Sequence, residues 1–165
     1  MNLLPALLVD KAREVVEANR AAGRRITVAE SCTGGLVSAA ITEIPGSSDV
    51  FEAGFVTYSN ESKIKRLGVS RDVLDTFGAV SIATAWAMAR GALAALDVDT
   101  AVAITGIAGP EGGTPEKPVG TVVFACARRG GTPDDITADS QYFDDGDRSA
   151  IRLQAALCAL DLLMP

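Results

Sequence analysis

"RITVAESCTGGLVSAAI", residues 25–41, contains the strand-to-helix transition on which the fold assignment depends. Residues 25–30 have the apolar, β-branched pattern of a strand. The pair Gly34–Gly35 then leads into a predicted helix over residues 36–43, which "PGSS" ends. The segment between them carries Ser31 and Cys32, and the chain contains no histidine. A nucleophile at either position therefore needs an activating base other than an imidazole of this chain.

The rest of the chain continues this alternation of strands and helices. Ser81 and Asp147 are expected to cap the two helices that follow them, and the last predicted strand is expected at a sheet edge. Alternation of this kind predicts an α/β fold, a three-layer α/β/α sandwich, formed by residues 1–165 as one domain. Further helices are predicted over residues 3–22, 60–69, 70–78, 82–96 and 145–163, further strands over residues 50–59, 100–109, 120–129 and 136–144, and a long loop over residues 110–120.

Composition restricts the classes of protein to which the chain can belong. A chain of 165 residues with 48% hydrophobic residues can bury a substantial core. The net charge of −6 disfavours direct nucleic-acid binding. The three cysteines, Cys32, Cys126 and Cys158, have no metal-ligand spacing and form no even disulfide set, so we expect a reduced cytoplasmic protein without a metal. No apolar run approaches the length that crosses a membrane.

Polar or glycine-rich sequence follows three of the predicted strands. These segments are "ESCTGG", "TYSNESK" and "TGIAGPEGG". Ligands of open α/β sheets bind beyond the carboxyl ends of strands, so the three segments predict one shared site. The sequence contains neither a P-loop nor a G-x-G-x-x-G motif, which gives little support to a nucleoside triphosphatase or a dinucleotide enzyme.

The first segment has two interpretations. Thr33, Gly34 and Gly35 are expected at a helix N-terminus, where free N–H groups favour a phosphate or the oxyanion of an acyl transfer. The alternative is an ordinary turn in which the glycines relieve backbone strain.

The second segment supplies a possible base for a serine nucleophile. Tyr58 and Lys63 lie within six positions, and a desolvated lysine can accept a serine proton while a tyrosine relays it or holds the lysine. Most lysines are solvated, however, and the spacing does not distinguish Lys63 from the nearby Lys65. Cys32 is the rival nucleophile; because side chains alternate along an extended segment, Ser31 is expected in the pocket and Cys32 in the core.

The third segment and the last helix offer contacts for an anion. Backbone N–H groups of residues 105–120 and the Thr105 hydroxyl can surround a ligand, although a flexible surface loop is the alternative. Arg148 and Arg152 lie four residues apart and share a helix face. They can bind a phosphate or carboxylate, or equally pair with the aspartates Asp144, Asp145 or Asp147.

Taken together, the motifs resemble a known family. "AESCTGG", "GFVTYSNESK", "LGV", "GAVS", "TGIAGPEGGTPEKPVGTV" and "GDRSAIR" are similar to the motifs of the CinA C-terminal domain family in its stand-alone form, from about residue 5 to residue 162. This resemblance implies a mixed, mostly parallel sheet. It also implies hydrolysis of the carboxamide of nicotinamide mononucleotide to nicotinate mononucleotide and ammonia, without a metal or other cofactor.

The resemblance also implies roles for individual residues. Ser31 is the expected nucleophile, assisted by Tyr58 and Lys63. The expected partner is a small nucleotide, with no nucleic acid and no membrane, and we expect a homo-oligomer. A non-catalytic nucleotide-binding module linked to competence or DNA damage is the alternative. The expected substrate-binding and oxyanion-binding residues are Thr33, Gly34, Gly35, Asn60, Thr105, Gly106, Gly109, Arg148 and Arg152.

Overall fold

The structure, a computed structural model, describes residues 1–144 and 146–165. Within these residues, five strands and six α-helices alternate along the chain, with two 3-10 turns at Ser47–Asp49 and Pro133–Asp135. None of these helices has the length and apolar character needed to cross a membrane. The elements are α1 (Ala6–Ala22), β1 (Ile26–Glu30), α2 (Leu36–Thr42), β2 (Phe51–Val56), α3 (Asn60–Leu67), α4 (Arg71–Phe77), α5 (Ile82–Ala95), β3 (Thr100–Gly106), β4 (Thr121–Arg128), β5 (Thr137–Tyr142) and α6 (Arg148–Leu162).

The strands form one mixed sheet in the order β2-β1-β3-β4-β5. β1 pairs in parallel with β2 and β3, whereas β4 is antiparallel to β3 and β5. The expectation of a mixed sheet is confirmed, and four of the five strands run in the same direction. β4 runs the other way because a loop rather than a helix connects it to β3, and a parallel pair needs a longer crossover connection.

Two hydrophobic cores lie on opposite faces of the sheet, which confirms the predicted three layers. Val102 and Ile104 of β3 pack with α1, α2 and α6. Their neighbours Ala101 and Ala103 pack with the alanine-rich α5 and with the ends of α3 and α4. The strict alternation of side chains along a strand assigns successive residues to the two cores. Small alanines on both α5 and the sheet let the helix approach closely.

Most element boundaries follow the sequence prediction to within two residues, whereas α1 and α6 start, and β2 and β3 end, three residues inside their predicted bounds. Ser81 and Asp147 cap α5 and α6 as predicted, each accepting a backbone N–H three residues on. α1 begins only after Pro5, whose missing N–H suits a helix start but not a helix interior. β2 ends at Val56, three residues earlier than predicted, because the chain then turns into the N-cap of α3.

Gly91 of α5 sets the distance between α5 and α3. An ideal Cβ at this position would lie 1.9 Å from the carbonyl oxygen of Leu67, the last residue of α3. The two helix backbones are therefore in direct contact at a point where only glycine fits. This contact holds the helix that carries Lys63.

We expect Gly91→Ala to destabilise the protein, although glycine-to-alanine changes in helices ordinarily stabilise by up to about 1 kcal/mol. Overpacking against the Leu67 carbonyl should lower the free energy of unfolding by about 1–3 kcal/mol in a urea titration. Glu17→Ala, an exposed change in α1, is the control and should stay within about 0.5 kcal/mol. A gain in stability for Gly91→Ala would contradict the close contact.

Candidate active site

A cavity of about 280 Å³ opens where β1 and β3 end. All three polar segments that follow predicted strands contribute to it, so the structure brings them together in one pocket. A second cavity of about 320 Å³, beside the C-terminus of α5, contains none of the predicted site residues. The first cavity is lined by Ser31, Cys32, Tyr58, Lys63, Ala79, Val80, Thr105, Gly106, Ile107, Ala108, Gly109, Glu111, Gly112 and Arg148.

Ser31 and Lys63 are in direct contact inside this cavity. Lys63 Nζ lies 2.9 Å from Ser31 Oγ, 2.8 Å from the Thr57 carbonyl oxygen and 3.3 Å from the Tyr58 carbonyl oxygen. Ser59 caps α3 by accepting the N–H of Ser62. This cap places Lys63 in the first turn of the helix, from which its side chain reaches Ser31, the residue after β1. The residue pair that the resemblance implies thus has hydrogen-bonding geometry.

Burial changes the protonation of Lys63. The residue is 1% exposed, and burial lowers the pKa of its amine from 10.5 to about 8. No carboxylate of the described residues forms an ion pair with it. Desolvation disfavours the charged form, and carbonyl oxygens compensate only in part. The amine therefore loses its proton in the pH range in which a general base is useful.

Cys32 belongs to the hydrophobic core, as predicted, although its side chain also borders the cavity. Burial raises the pKa of its thiol to about 11. The thiolate, which is the nucleophilic form of cysteine, is therefore scarce at neutral pH. This protonation state favours Ser31 over Cys32 as the nucleophile.

Tyr58 and Arg148 meet at the mouth of the cavity. Arg148 Nη2 donates to the Tyr58 hydroxyl at 2.9 Å, and its Nη1 donates to the Gly109 carbonyl oxygen at 2.6 Å. The Tyr58 side chain is 59% exposed, and only its backbone carbonyl contacts Lys63. The expected proton relay through the tyrosine hydroxyl thus has no hydrogen bond to Ser31 or Lys63 among the described residues.

Arg152 and residues 33–35, in the turn after the serine, lie outside the cavity lining. Arg152 donates from Nε to the Cys32 carbonyl oxygen at 3.1 Å and from Nη2 to the Thr33 carbonyl oxygen at 3.0 Å. The N–H of Gly34 donates to the carbonyl oxygen of the serine, and Gly35 precedes α2. Arg152, Thr33, Gly34 and Gly35 are therefore not part of the cavity lining, although Thr33 directly follows Cys32, which is.

The expected aspartate partners of the two arginines do not form ion pairs with them in the described part of the chain. No ion pair joins Arg148 or Arg152 to Asp144 or Asp147. Asp147 instead caps α6. Asp145, the third aspartate considered, lies outside the described residues.

The remaining predicted residues divide between the cavity and its surroundings. Thr105, Gly106 and Gly109 line the cavity, whereas Asn60 is exposed at the start of α3 and does not. The Thr105 hydroxyl donates to the Ala79 carbonyl oxygen at 2.8 Å, which fixes one wall. At Gly106 an added Cβ would lie 3.1 Å from the sulfur of Cys32, so a larger residue would crowd the site.

Glu30, the last residue of β1, occupies the N-terminus of α2. Its fully buried carboxylate accepts the N–H of Val37 and of Ser38, each at 3.0 Å, and the Ser38 hydroxyl at 2.7 Å. Free N–H groups at a helix N-terminus attract an anion. Here the protein supplies its own anion, so the first turn of α2 is not available to a substrate phosphate.

Comparison with known proteins identifies the family of the chain. A sequence model of the CinA C-terminal domain matches residues 9–165. The chain belongs to the CinA C-terminal domain family. It is 52% identical over 147 residues to a nicotinamide-nucleotide amidohydrolase PncC of Enterobacter agglomerans, covering 89% of this chain and 87% of that protein. A PncC of the same name from Escherichia coli K12 is 50% identical, with 94% of this chain and 92% of that protein covered.

Family members of other lengths and known structures are similar as well. The chain matches 32% of the length of a CinA-like protein of Shewanella denitrificans, with 51% identity over 86% of this chain. A crystal structure of the competence/damage inducible protein CihA from Agrobacterium tumefaciens superposes with a TM-score of 0.93. That protein is 45% identical, and the match covers 99% of this chain and 97% of that one.

The sequence analysis missed several residues of this CinA-family site. It did not recognise Glu30 as the cap of α2, although a carboxylate at the end of a fully buried strand, close to a helix start, is a usable signal. Ala79, Val80 and Glu111 line the cavity but gave no chemical signal of their own. Ala79 and Val80 lie in the "GAVS" motif, which contributed only to the resemblance.

We expect Glu30→Gln to lower the free energy of unfolding by about 1–3 kcal/mol, because an amide nitrogen cannot accept the N–H that one carboxylate oxygen now accepts. Glu17→Gln, at an exposed position of α1, is the matched control, and its free energy of unfolding should stay within about 0.5 kcal/mol of wild type. Urea titration of both variants measures the difference. Equal stabilities of the two variants would show that the buried carboxylate does not hold α2.

Proposed function

We propose that this chain hydrolyses the carboxamide of nicotinamide mononucleotide, giving nicotinate mononucleotide and ammonia, with Ser31 as nucleophile and Lys63 as base. The observation that carries the proposal is the 2.9 Å contact between Lys63 Nζ and Ser31 Oγ inside the cavity. The identity of about half the residues with curated nicotinamide-nucleotide amidohydrolases supports the substrate.

The hydrogen bonds of Lys63 suit a base better than a permanent cation. A neutral amine has two N–H donors and one lone pair, whereas an ammonium has three donors. The carbonyl oxygens of Thr57 and Tyr58 can accept the two N–H groups. The lone pair then faces Ser31 Oγ, the third neighbour, and can accept its proton. When Lys63 loses its proton, its amine changes from a donor to an acceptor in the hydrogen bond with Ser31 Oγ, and it can then remove the serine proton.

The reaction follows two stages in this account. Ser31 Oγ attacks the carboxamide carbon while its proton passes to Lys63, and a tetrahedral oxyanion forms. Lys63 returns the proton to the amide nitrogen, the C–N bond breaks, and ammonia leaves an ester on Ser31. A water molecule then attacks the ester with Lys63 as base, and proton return to Oγ releases the carboxylate and regenerates the serine.

Substrate contacts come from the mouth of the cavity in this proposal. Arg148 supplies a cation beside Tyr58, and a guanidinium binds phosphate oxygens in two-point contacts. Glu111 and the backbone of residues 105–112 border the same space. The local positive charge of Arg148 explains how a protein of net charge −6 can bind a phosphorylated substrate.

Further expectations remain proposals. We infer that residues 1–165 form one domain, because both cores share one sheet. Within the described residues no three acidic, cysteine or histidine side chains gather as metal ligands, and independence of metal remains to be tested. A homo-oligomer and a cytoplasmic location also stay predictions.

We expect Ser31→Ala to lower kcat for ammonia release from nicotinamide mononucleotide at least about 1,000-fold, and Lys63→Met at least about 100-fold. Assays in a chelator should leave the wild-type rate intact. Lys65→Met, on the same helix, and Ser140→Ala, on β5, are the matched controls and should keep the wild-type rate.

The outcomes of this experiment separate the competing functions. Loss of turnover in Cys32→Ala with full turnover in Ser31→Ala would make the protein a cysteine amidase. Tight binding of the mononucleotide in calorimetry without turnover by the wild type would make it a nucleotide-binding module. Loss of activity in chelator that returns with added metal would contradict a metal-independent serine amidase.

We expect kcat/KM to rise about tenfold per pH unit below pH 8 and to level off above it, because Lys63 accepts a proton only when its amine is neutral and its pKa lies at about 8. The rate of ammonia release between pH 6 and 9.5 measures this profile. Lys65→Met should show the same profile, and circular dichroism checks folding at each pH. A flat profile, or one that falls as pH rises, would rule out neutral Lys63 as the base.

A further inference from the structure

We propose that Arg152 is a positioning residue, one that fixes the turn after Ser31, whose free N–H groups are the donors for the tetrahedral oxyanion, and that it does not bind the substrate phosphate. This inference rests on the proposed amidase function. It assigns different tasks to the two arginines of α6, which share a helix face in the sequence.

Arg152 holds the turn after the nucleophile by two hydrogen bonds to consecutive carbonyl oxygens. Its Nε donates to Cys32 O at 3.1 Å and its Nη2 donates to Thr33 O at 3.0 Å. A planar guanidinium has donors spaced for such a two-point contact, whereas an ammonium offers one point charge. Nη2 also lies 3.3 Å from the place that a Cβ of Gly34 would occupy, so the guanidinium packs directly on the turn.

The two contacts fix the direction of a backbone N–H close to Ser31. In a trans peptide the C=O and the following N–H point in opposite directions. Because Arg152 holds the Cys32 carbonyl, the N–H of Thr33 faces away from Arg152. Among the described residues this N–H has no acceptor, and the buried hydroxyl of Thr33 also has no partner.

A buried N–H that has no acceptor, two residues after a nucleophile, is a suitable donor to an oxyanion. Buried N–H groups are nearly always paired, so a free one next to a reacting serine indicates a group that arrives with the substrate. Of the neighbouring donors, Gly34 N–H donates to Ser31 O and the first turn of α2 holds Glu30, whereas the N–H of Cys32, which lines the cavity, has no acceptor among the described residues either. The N–H groups of Cys32 and Thr33 are thus the free donors next to Ser31, and Arg152 holds the peptide that joins these two residues.

The turn depends on an outside contact for its shape. Gly34 and Gly35 have φ angles of +60° and +99°, in the region that glycine adopts freely. Flexible glycines do not by themselves hold a peptide plane in one orientation. The guanidinium of Arg152 supplies that restraint from α6.

The test compares Arg152→Met and Arg152→Lys with wild type on two substrates. These are nicotinamide mononucleotide and the corresponding nucleoside, which lacks the phosphate. Arg152→Met should lower kcat about 10- to 100-fold on both substrates with KM within about threefold, because misplacement of a catalytic group by about 1 Å has effects of this size. The kcat of Arg152→Lys should lie between those of Arg152→Met and wild type, because a lysine ammonium can reach only one carbonyl oxygen at a time.

Arg13→Met, an exposed change on α1, is the matched control and should keep the wild-type kcat and KM. Arg148→Met is the comparison for a phosphate contact: it should raise KM more for the mononucleotide than for the nucleoside. Unfolding by urea shows whether each variant is folded at the assay temperature. If Arg152→Met does not fold, the changes in kcat and KM of Arg152→Lys distinguish a positioning role from a phosphate contact.

Each outcome has a definite meaning. A defect in kcat on both substrates supports a positioning role. A rise in KM that disappears with the nucleoside would make Arg152 a phosphate ligand, and unchanged kinetics would give it no part in catalysis; either result overturns the inference. Absence of ammonia release by the wild type itself would refute the proposed function, and the role of Arg152 with it.

Discussion

Burial of the Lys63 amine is the constraint on which the rest of the site depends. Removing an ammonium from water has a large free-energy cost, and the carbonyl oxygens of Thr57 and Tyr58 offset it only in part. The balance lowers the pKa to about 8 and leaves the amine able to exchange a proton with Ser31. In the proposed mechanism, which needs no histidine of this chain, this buried amine takes the role that an imidazole has in many hydrolases. Gly91 keeps α3 in place to hold it.

The mixed sheet explains why these groups converge. β1 and β3 are parallel neighbours, so the segments that follow them reach the same edge of the sheet. The absence of a helix between β3 and β4 leaves residues 107–120 free to form one wall of the cavity, with Gly109 bound to Arg148. Glu30 and Arg152 then fix the turn after Ser31 from two sides, one from inside the sheet and one from α6.

The sequence predicted the layers and the proposed reacting pair, but not the directions of several side chains. Alternation of strands and helices was enough for the sandwich, and polar residues at strand ends were enough to place Ser31 and a nearby lysine in one site. The family resemblance, rather than the spacing, distinguished Lys63 from Lys65. Helix periodicity put Arg148 and Arg152 on one face. Periodicity could not show that the two guanidinium groups reach different parts of the site. Four residues correspond to a rise of about 6 Å along the helix, which is enough to separate them. The Tyr58 hydroxyl meets Arg148 at the cavity mouth instead of Ser31 or Lys63, and this direction is not encoded by alternation along a strand.

The most direct test of the central claim is a measurement of the Lys63 pKa in the folded protein. The chain has four lysines, Lys11, Lys63, Lys65 and Lys117, so the ¹³Cε resonances of labelled lysine can be followed individually by NMR. We expect one resonance to titrate near pH 8 and to be missing from Lys63→Met. If no resonance titrates near pH 8, or if the one that does persists in Lys63→Met, then Lys63 is not a neutral base and the proposed mechanism is wrong.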